Sequence, residues 1–394
     1  MKKLGNIESL TSDTKEKTKA DIFLGNDNKV YVKKCDKYGV IKEYLLEDDY
    51  NLYQYLTTRD NRATVKEHSI HLNVSSACNL KCLMCYASAN QEDKTLTLCE
   101  IKKIIRPIKN QIILLSGKEP TCNPELPQII KLCSKHNQVS VLTNGLKLDD
   151  YNYLKKLSEY GKFKIIFSLN SLDDHYYQNT NGKDLVKRKM IALDNIKKLN
   201  IPTEISLTLV ENMNIEQLNP IFMFCINNSE YITGMRIRSN SPVGKHFKSK
   251  TYTISQLLNL FAKASAIPRE EMIKSGKYIH KILGEIYNID YYKPRLCSFT
   301  IFLKKGTKKL IGNEIDYNNL NEEVFKKISN KLFKSDSNRP RWENKNYFKL
   351  EFRSWPNINT IDLAENAKCT SYCVSNDNKI PFCMNNIEED YKNS

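Results

Sequence analysis

The sequence lacks the features that mark membrane, secreted and fibrous proteins. No stretch of its 394 residues approaches the roughly 18 consecutive apolar residues that a membrane-spanning helix needs. The N-terminus has no apolar run after Lys2 and Lys3, so it does not resemble a secretory signal. Hydrophobic residues (40%) and charged residues (27%) occur in globular proportions, which excludes the disordered and fibrous classes. We therefore expect a folded cytoplasmic protein without a membrane partner.

Acidic residues are in the minority, and the excess of basic residues is uneven. The chain has 61 Lys and Arg against 45 Asp and Glu, a net charge of +16. Residues 245–350 hold 22 of the basic residues and 10 of the acidic ones. Such a field favours an acidic partner, nucleic acid or an acidic peptide, although lysines on solvated faces would give the same composition. Nucleic acid is the less favoured partner, because no RNA-binding module is recognisable and the aromatic residues are scattered.

The middle of the chain alternates between strand-like and helix-like patterns. This alternation, over about 170 residues, predicts βαβ units and a parallel sheet. Six units suit a partial (β/α)6 barrel of the TIM type, an α/β fold with its chemistry at the C-terminal ends of the strands. The predicted strands are 70–74, 112–115, 139–142, 164–169, 204–209 and 234–237. The predicted helices are 98–108, 124–136, 149–160, 185–199 and 215–227.

The regions flanking this pattern predict two further domains. Residues 1–67 form a small β/α preface, a candidate substrate-engaging region whose first 20 residues are polar and expected to be frayed. The barrel occupies residues 68–245, and residues 246–394 form a separate α+β domain. The elements predicted there are helices in 254–287 broken near Pro268, a hairpin around Lys305 and Gly306, a helix at 321–333, a strand at 347–355 and a hairpin at 372–383.

Three of the 12 cysteines form one tight cluster directly after the first predicted barrel strand. Clustered cysteines in a reducing compartment point to a metal or to catalysis. Cys78, Cys82 and Cys85 have a three-then-two spacing, which fits three corners of a [4Fe–4S] cluster with the fourth iron left open. The alternative is a zinc site with a remote fourth ligand, such as His71 or His136.

Motifs at the ends of the predicted strands resemble those of the radical S-adenosylmethionine (AdoMet) enzymes, whose hallmark is this cysteine loop. The resemblance covers roughly residues 69–245. Its further motifs are Ser116-Gly117-Lys118-Glu119-Pro120, Thr143-Asn144-Gly145, Ser168-Leu169-Asn170, the segment from Thr208 to Asn214, and Pro242-Val243-Gly244. One departure is Lys118, which stands where the family has its second glycine, so we expect a different turn there.

This resemblance implies a SAM-binding [4Fe–4S] cluster on Cys78, Cys82 and Cys85. It also implies that the cluster cleaves AdoMet reductively to a 5′-deoxyadenosyl radical, which abstracts a substrate hydrogen. Glu119 is expected to contact the AdoMet ammonium group, and no catalytic residue is assigned beyond the cluster. The full set of AdoMet-binding residues that the resemblance implies is Met84, Tyr86, Ser116, Gly117, Lys118, Glu119, Asn144, Ser168, Asn170, Thr208 and Asn214.

Four further cysteines lie near the C-terminus: Cys297, Cys369, Cys373 and Cys383. Four thiolates can ligate an auxiliary [4Fe–4S] cluster or a structural zinc, and the thiols can also stay free. Cysteines at hairpins after the barrel resemble the SPASM or twitch extensions of radical AdoMet enzymes, which implies one auxiliary cluster. The remaining cysteines are interpreted as packing residues: Cys35, Cys99, Cys122, Cys133 and Cys225.

The resemblance also directs the prediction of the substrate. Twitch and SPASM extensions occur most often in enzymes that modify ribosomally synthesised peptides, so a peptide or protein substrate is predicted, with a reductant such as flavodoxin or ferredoxin as partner. The alternatives are a small molecule or cofactor precursor and, less favoured, a nucleic acid. A zinc-binding interaction protein is the alternative that involves no enzyme.

Overall fold

The computed structural model describes residues 1–58, 69–85, 95–241, 250–286, 294–312, 346–375 and 378–392. Within these ranges the strands form a four-stranded sheet at the N-terminus and a ten-stranded sheet. No helix in these ranges is both long and apolar enough to cross a membrane. The predicted helix at 321–333 lies outside the described residues.

The N-terminal sheet is an antiparallel meander followed by a short helix. Its elements are β1 (Lys2–Leu10), β2 (Lys17–Leu24), β3 (Val30–Cys35), β4 (Ile41–Glu47) and α1 (Tyr50–Leu56), with the strands paired in chain order. The prediction that residues 1–20 are frayed is wrong, because β1 pairs with β2 along its whole length. Most side chains of β1 are exposed or half-buried at the sheet edge, so a polar composition concealed a strand.

Six parallel strands at the centre of the large sheet confirm the predicted βαβ pattern. They are β5 (Ser69–Asn73), β6 (Ile112–Ser116), β7 (Gln138–Thr143), β8 (Lys164–Ser168), β9 (Thr203–Leu209) and β10 (Ile232–Ser239). The connecting helices are α2 (Leu98–Ile105), α3 (Leu126–Ser134), α4 (Tyr151–Glu159), α5 (Asp174–Asn181), α6 (Val186–Lys198) and α7 (Leu218–Asn227). Neighbouring strands are consecutive in the chain, as each helical crossover returns beside the strand before it.

C-terminal strands extend this sheet at both ends. They are β11 (Ser298–Lys304) and β12 (Tyr347–Arg353) beyond β10, and β13 (Ser371–Ser375) and β14 (Asn378–Pro381) beyond β5. The helices in this part are α8 (Ile254–Ser265), α9 (Arg269–Ile279), α10 (Leu363–Ala367) and α11 (Phe382–Lys392). The helix break near Pro268 and both predicted hairpins are confirmed. The division at residue 245 stays a prediction, and strand pairing crosses it, since β12 pairs with β10 in parallel.

The large sheet has one apolar face and one polar face, because successive side chains of a strand point to opposite sides. Leu72, Ile113 and Ile205 pack into the main core together with helix residues such as Ile101. The alternate residues define what we call the inner face. Its polar members include His71, Ser140, Lys164, Glu204, Arg236, Lys349 and Glu351.

The ten-stranded sheet curls upon itself. Cys297 precedes β11 at one end of the strand order, whereas Cys383 follows β14 at the other end. Eight strand spacings separate β11 from β13, which in a flat sheet would amount to about 38 Å. The same eight spacings separate β12 from β14, yet the ring of Trp355, just beyond β12, lies 5.4 Å from the ring of Phe382, directly after β14. The two ends of the sheet therefore meet. The predicted α/β partial barrel is therefore confirmed.

Candidate active site and cysteine clusters

The first cysteine loop follows β5 at the edge where the parallel strands end. Its backbone is anchored to α5, since the amide of Leu83 donates to the carbonyl of Thr180 over 3.2 Å. Burial, followed by the neighbouring thiols of Cys85 and Cys78, raises the pKa of the Cys82 thiol to about 12. Cys78 has a raised pKa as well, chiefly through burial. Three thiols that oppose one another's ionisation in this way suit a metal centre, whose positive charge stabilises the thiolates.

The segment after β6 holds this loop in place. The amide of Lys118 donates to the carbonyl of Ser75 over 2.8 Å. The amide of Glu119 donates to the carbonyl of Ala77 over 3.0 Å. Gly117 makes the approach feasible: its φ is +115°, and a Cβ there would lie 2.3 Å from Asn73 Oδ1. Lys118 is not among the described residues with a positive φ, so a side chain is tolerated where the family has glycine.

Glu119 is buried at the C-terminal ends of β6 and β7, where its carboxylate accepts four hydrogen bonds. Its side chain is 1% exposed. Oε1 accepts from the Thr121 amide at 3.1 Å and from the hydroxyls of Thr121 and Thr143 at 2.6 Å each. Oε2 accepts from the amide of Asn144 at 2.8 Å. The carboxylate thus joins the motif after β6 to the motif after β7, a role that the sequence does not reveal, and its predicted contact with AdoMet stays a prediction.

Asn144 connects the motif after β7 to the cysteine loop. Its Nδ2 donates to Asn79 Oδ1 over 2.8 Å and lies 3.9 Å from the sulfur of Cys78. The next residue, Gly145, has a φ of +82°, and a Cβ there would strike the ring of Phe167 at 2.1 Å. The third predicted motif is therefore part of the same site as the first two.

The predicted residues at the ends of β8 and β9 form a separate network of hydrogen bonds. Asn170 Oδ1 accepts from the amide of Thr208 at 2.9 Å. The side chain of Asn214 is wholly buried, and its Nδ2 donates to the carbonyls of Asn170 and Thr208 over 2.9 Å each. Asn214 Oδ1 accepts from the amide of Val210 at 2.8 Å. Asn214 therefore holds the backbone at the ends of β8 and β9 in position, and its predicted cofactor contact stays a prediction.

The remaining predicted AdoMet-binding residues border the cysteine loop or the strand ends. Met84 packs against a small apolar cluster with Tyr176, whose hydroxyl lies 3.9 Å from the Met84 sulfur. Ser116 is buried, and its hydroxyl donates to the carbonyl of Leu72 over 3.4 Å. Ser168 is half-buried at the end of β8. Tyr86 lies outside the described residues, as does the Pro-x-Gly motif at 242–244.

Lys189 is a site residue that the sequence analysis missed. It projects from α6, is 2% exposed, and its Nζ donates to the carbonyls of Asn144 and Ser168 over 2.8 Å each. Burial lowers its pKa to about 8, although Cys82 and Glu119 oppose that change. A signal was available: Lys189 lies four residues from both Leu185 and Leu193, on the apolar stripe of its helix.

The four C-terminal cysteines converge from both ends of the sheet. Burial, then Cys297, Cys369 and Cys373, raises the pKa of the Cys383 thiol well above its ordinary value. Cys373 pairs in register with His71 of β5, and Cys297 directly precedes β11. All four thiols are free and half-buried. The predicted set is thus brought together, and its metal stays a prediction.

The other cysteines follow the packing interpretation only in part. Cys133 and Cys225 are fully buried in the main core, as predicted. Cys122 is half-buried, whereas Cys35 and Cys99 are exposed, so the packing interpretation is wrong for these last two. The apolar pattern around them does not distinguish a residue that faces the core from one beside it.

The described contacts of the two histidines considered as zinc ligands do not involve the first cysteine loop. Among the described residues, no group of three or more Cys, His, Asp or Glu side chains is arranged closely enough to hold a single metal ion as it stands. Nε2 of His71, one proposed zinc ligand, is hydrogen-bonded to Ser371 Oγ at 2.9 Å. The His71 ring stacks on Phe382, beside the second cysteine set. His136, the other, is exposed. A thiol-only donor set suits an iron–sulfur cluster and a four-cysteine zinc site alike, so the metal of each set stays a prediction.

A buried network of charges covers the inner face. Glu204 of β9 pairs with Lys164 (2.7 Å), Lys349 (2.9 Å) and Arg236 (2.6 Å). Burial alone would raise the pKa of the Glu204 carboxyl, but these three cations together hold it well below its usual range. Glu351 pairs in turn with Arg353, Lys349 and Arg236.

A curled α/β sheet that carries a thiol loop and polar residues at the C-terminal ends of its parallel strands has the layout of a barrel enzyme, whose chemistry takes place at that edge. Residues 72–225 match the Radical SAM superfamily, so the chain carries a radical SAM domain and the resemblance identified from its motifs is confirmed. That superfamily implies a [4Fe–4S] cluster and AdoMet as its cofactors.

Three individual proteins illustrate the similarity, each 30% identical to this chain or less. A 7,8-dihydro-6-hydroxymethylpterin dimethyltransferase of Methanocaldococcus jannaschii is 30% identical over 185 residues, which cover 44% of this chain and 37% of the relative. A GTP 3′,8-cyclase of Clostridium acetobutylicum is 25% identical over 243 residues, which cover 58% and 74%. The crystal structure of Streptococcus suis SuiB bound to S-adenosylmethionine has a TM-score of 0.44 and 20% identity, covering 50% of this chain and 47% of that one. A TM-score of that size supports no statement about function.

Proposed function

We propose that the chain is a radical SAM enzyme of the cytoplasm that acts on a ribosomally synthesised peptide or protein. The observation that carries the enzyme class is the hydrogen-bonded rim around the cysteine loop, built by the amides of Lys118 and Glu119 and the side chain of Asn144. When bound, the cluster supplies the electron that cleaves AdoMet to methionine and a 5′-deoxyadenosyl radical, which takes a hydrogen atom from the substrate. A reductant such as flavodoxin or ferredoxin provides that electron.

The residues of this chain hold the cofactors and fix the backbone around them. Cys78, Cys82 and Cys85 would hold the cluster through their thiolates, and three protein ligands would leave one iron available to AdoMet. Glu119 and Lys189, both buried beneath the rim, fix the backbone at the ends of β6, β7 and β8. Preorganisation of this kind holds the reacting groups in one geometry without reorganisation during the reaction.

A peptide substrate is supported by the N-terminal sheet. Among the described strands, β1 and β4 each pair on one side only, so both are edge strands that can accept an added strand. Three of the exposed large hydrophobic residues lie in the turn before β4 and at its first residue: Tyr38, Val40 and Ile41, which are 78%, 54% and 69% exposed. An apolar edge strand is a surface that peptides bind through backbone hydrogen bonds.

A small-molecule substrate is the second candidate, and the curated relatives favour it. One is a pterin dimethyltransferase and another a GTP cyclase, and the present chain covers 74% of the latter. At 25% and 30% identity the relatives share the domain, while their substrates remain proposals for this chain.

We also propose that the second cysteine set binds an auxiliary [4Fe–4S] cluster. Its support is the convergence of Cys297, Cys369, Cys373 and Cys383, whose donor chemistry matches a fully ligated cluster. Anaerobically reconstituted protein is then expected to hold about eight irons per chain, and the variant with Cys78, Cys82 and Cys85 replaced by alanine about four. Four irons together with zinc in the wild type would contradict the auxiliary cluster.

The enzyme class is tested by AdoMet cleavage under a strong reductant. We expect wild-type protein to form 5′-deoxyadenosine, and the triple variant of Cys78, Cys82 and Cys85 to form none. Cys99→Ala, an exposed cysteine outside both sets, is the matched control and should retain activity. Formation of 5′-deoxyadenosine by the triple variant would overturn the assignment.

The substrate class is tested by hydrogen transfer. Deuterated acidic peptides, GTP and a pterin are offered separately, and deuterium in 5′-deoxyadenosine is measured by mass spectrometry. Transfer from a peptide supports the first candidate, and transfer from GTP or the pterin alone replaces it with the second.

A further inference from the structure

We propose that the buried ammonium group of Lys189 raises the reduction potential of the cluster held by Cys78, Cys82 and Cys85. The inference rests on the proposed function and deepens it, because it concerns the step in which the cluster takes up one electron from the reductant. Lys189 acts through its charge and through the groups that it contacts, so it is a positioning residue.

Lys189 is a buried cation that forms no ion pair within the described part of the chain. Its side chain is 2% exposed, and its Nζ donates to the carbonyls of Asn144 and Ser168 over 2.8 Å each. The ring centroids of Phe167 and Tyr177 lie 5.3 and 5.4 Å from Nζ. Carbonyls and aromatic rings solvate an ammonium group, but they carry no net charge to neutralise it. The ammonium group therefore stabilises negative charge in its surroundings.

Asn144 links Lys189 to the first cysteine loop. Its carbonyl accepts the hydrogen bond from Lys189 Nζ, and its Nδ2 lies 3.9 Å from the sulfur of Cys78. One residue thus spans the gap between the ammonium group and a thiol. The charge acts in the direction that this geometry requires. Burial and then the neighbouring thiols raise the pKa of Cys82, whereas Lys189 lowers it.

Two tyrosine rings link Lys189 to another part of the same loop. The ring of Tyr177, beside Nζ, lies 5.2 Å from the ring of Tyr176. The hydroxyl of Tyr176 lies 3.9 Å from the sulfur of Met84, which directly precedes Cys85. Both tyrosines are buried, so this path from the ammonium group to the loop runs through the protein interior. Charges interact more strongly there than at the surface, where water and salt screen them.

A fixed positive charge at this place favours the reduced cluster. Reduction adds one electron, and therefore one negative charge, to the cluster, and a nearby cation stabilises the more negative state. The carboxylate of Glu119 opposes this effect, but it accepts four hydrogen bonds from other groups. Burial lowers the pKa of Lys189, and of the two groups that raise it, Cys82 acts more strongly than Glu119.

The test is a redox titration of the anaerobically reconstituted full chain, followed by electron paramagnetic resonance. The first cluster is the reduced signal that the variant with Cys78, Cys82 and Cys85 replaced by alanine lacks. Lys189→Gln keeps a hydrogen-bond donor and removes the charge. We expect it to make reduction about tenfold less favourable, the effect of one charge at roughly 12 Å in a medium of effective dielectric constant about 20. This corresponds to a potential about 59 mV lower.

Two control variants separate charge from structure. Lys189→Arg keeps the charge and should have a potential near that of wild type. Lys187→Gln removes an exposed lysine from the same helix and should match wild type. If Lys189→Gln does not fold, as judged by urea unfolding, Lys189→Met should lower the potential in its place.

Three results would overturn the proposal. The first is a wild-type potential in Lys189→Gln, including the case in which its AdoMet affinity falls, which would make Lys189 a contact of AdoMet. The second is an equal decrease in Lys189→Gln and Lys189→Arg. The third is loss of iron from both neutral variants while Lys189→Arg retains it, which would make the lysine a structural residue.

The wild-type signal distinguishes this failure from that of the proposed function. Absence of any reducible signal that depends on Cys78, Cys82 and Cys85 means that the proposed function fails. Presence of that signal without the effect of Lys189 means that this inference alone fails.

Discussion

Replacing Glu119 separates two roles that the residue could have at the rim. The sequence predicts a contact with the AdoMet ammonium, so Glu119→Ala would lower AdoMet affinity by about 10- to 150-fold, as expected for a lost charge-assisted hydrogen bond. The structure adds a second consequence, because four donors within the protein end on this carboxylate. Loss of a purely ligand-binding group would leave the folding stability unchanged.

The cost to stability follows from those four donors. In Glu119→Ala the two hydroxyls can rotate toward other acceptors, but the amides of Thr121 and Asn144 lose theirs. An orphaned buried donor costs about 1–3 kcal/mol, so the expected loss is about 2–6 kcal/mol. Glu119→Gln keeps Oε1 and turns an amide group toward the amide of Asn144, so its expected loss is about 1–3 kcal/mol.

Two measurements on the same anaerobic preparation distinguish the roles. Urea unfolding followed by circular dichroism gives the free energy of unfolding, and equilibrium dialysis gives AdoMet affinity. Glu125→Ala is the matched control, an exposed glutamate at the start of α3 whose side chain makes no capping hydrogen bond. If Glu119→Ala unfolds at the same urea concentration as wild type, the four hydrogen bonds are not formed and the reasoning fails.

Three further substitutions test other parts of the structure. Gly117→Ala should lower iron content and AdoMet affinity, because its Cβ would strike Asn73 and Ser75 after the neighbouring strand. Gly182→Ala is the control: its Cβ would meet open space at a φ of +67°, so urea unfolding should show only backbone strain of about 1–2 kcal/mol. Lys189→Met should destabilise the fold by about 2–6 kcal/mol, because it leaves two carbonyls without a donor. The control Lys187→Met removes an exposed lysine and should not change stability. Equal stability of the two variants would contradict this role of Lys189. Burial raises the folded-state pKa of Glu47 to about 7, above its ordinary 4.5, so the stability it contributes below pH 4.5 is lost as pH rises to about 7. Glu47→Gln should flatten that decline by about 3 kcal/mol, and parallel pH profiles for variant and wild type would refute it.

Local patterns were sufficient for the parts of the fold in which sequence neighbours cooperate. The six barrel strands are apolar runs buried on the helix side, and the first cysteine loop is a spacing within eight residues. β1 was missed because an edge strand with few buried side chains carries no apolar alternation. Its pairing depends on β2, which lies beyond a turn that composition alone does not specify.

The site was less predictable because its residues meet only after the strands have paired. Glu119 belongs to an obvious motif, but the four groups that donate to it come from two different strand ends, so the sequence predicted only its contact with AdoMet. Glu204 and Glu351 contact the same lysine, Lys349, although they are far apart in sequence. Strand order and register determine that encounter, and neither is visible in a single sequence.

The two cysteine sets depend on the fold in different ways, and this difference explains why one was easy to predict and the other was not. Cys78, Cys82 and Cys85 belong to one loop, so any structure that keeps β5 and the segment after β6 keeps that set together. Cys297 comes from one end of the ten-stranded sheet, and Cys373 and Cys383 come from the other end. The second set therefore exists only when the barrel is curled. A centre bound there would link the two ends of the sheet and so stabilise its curled form.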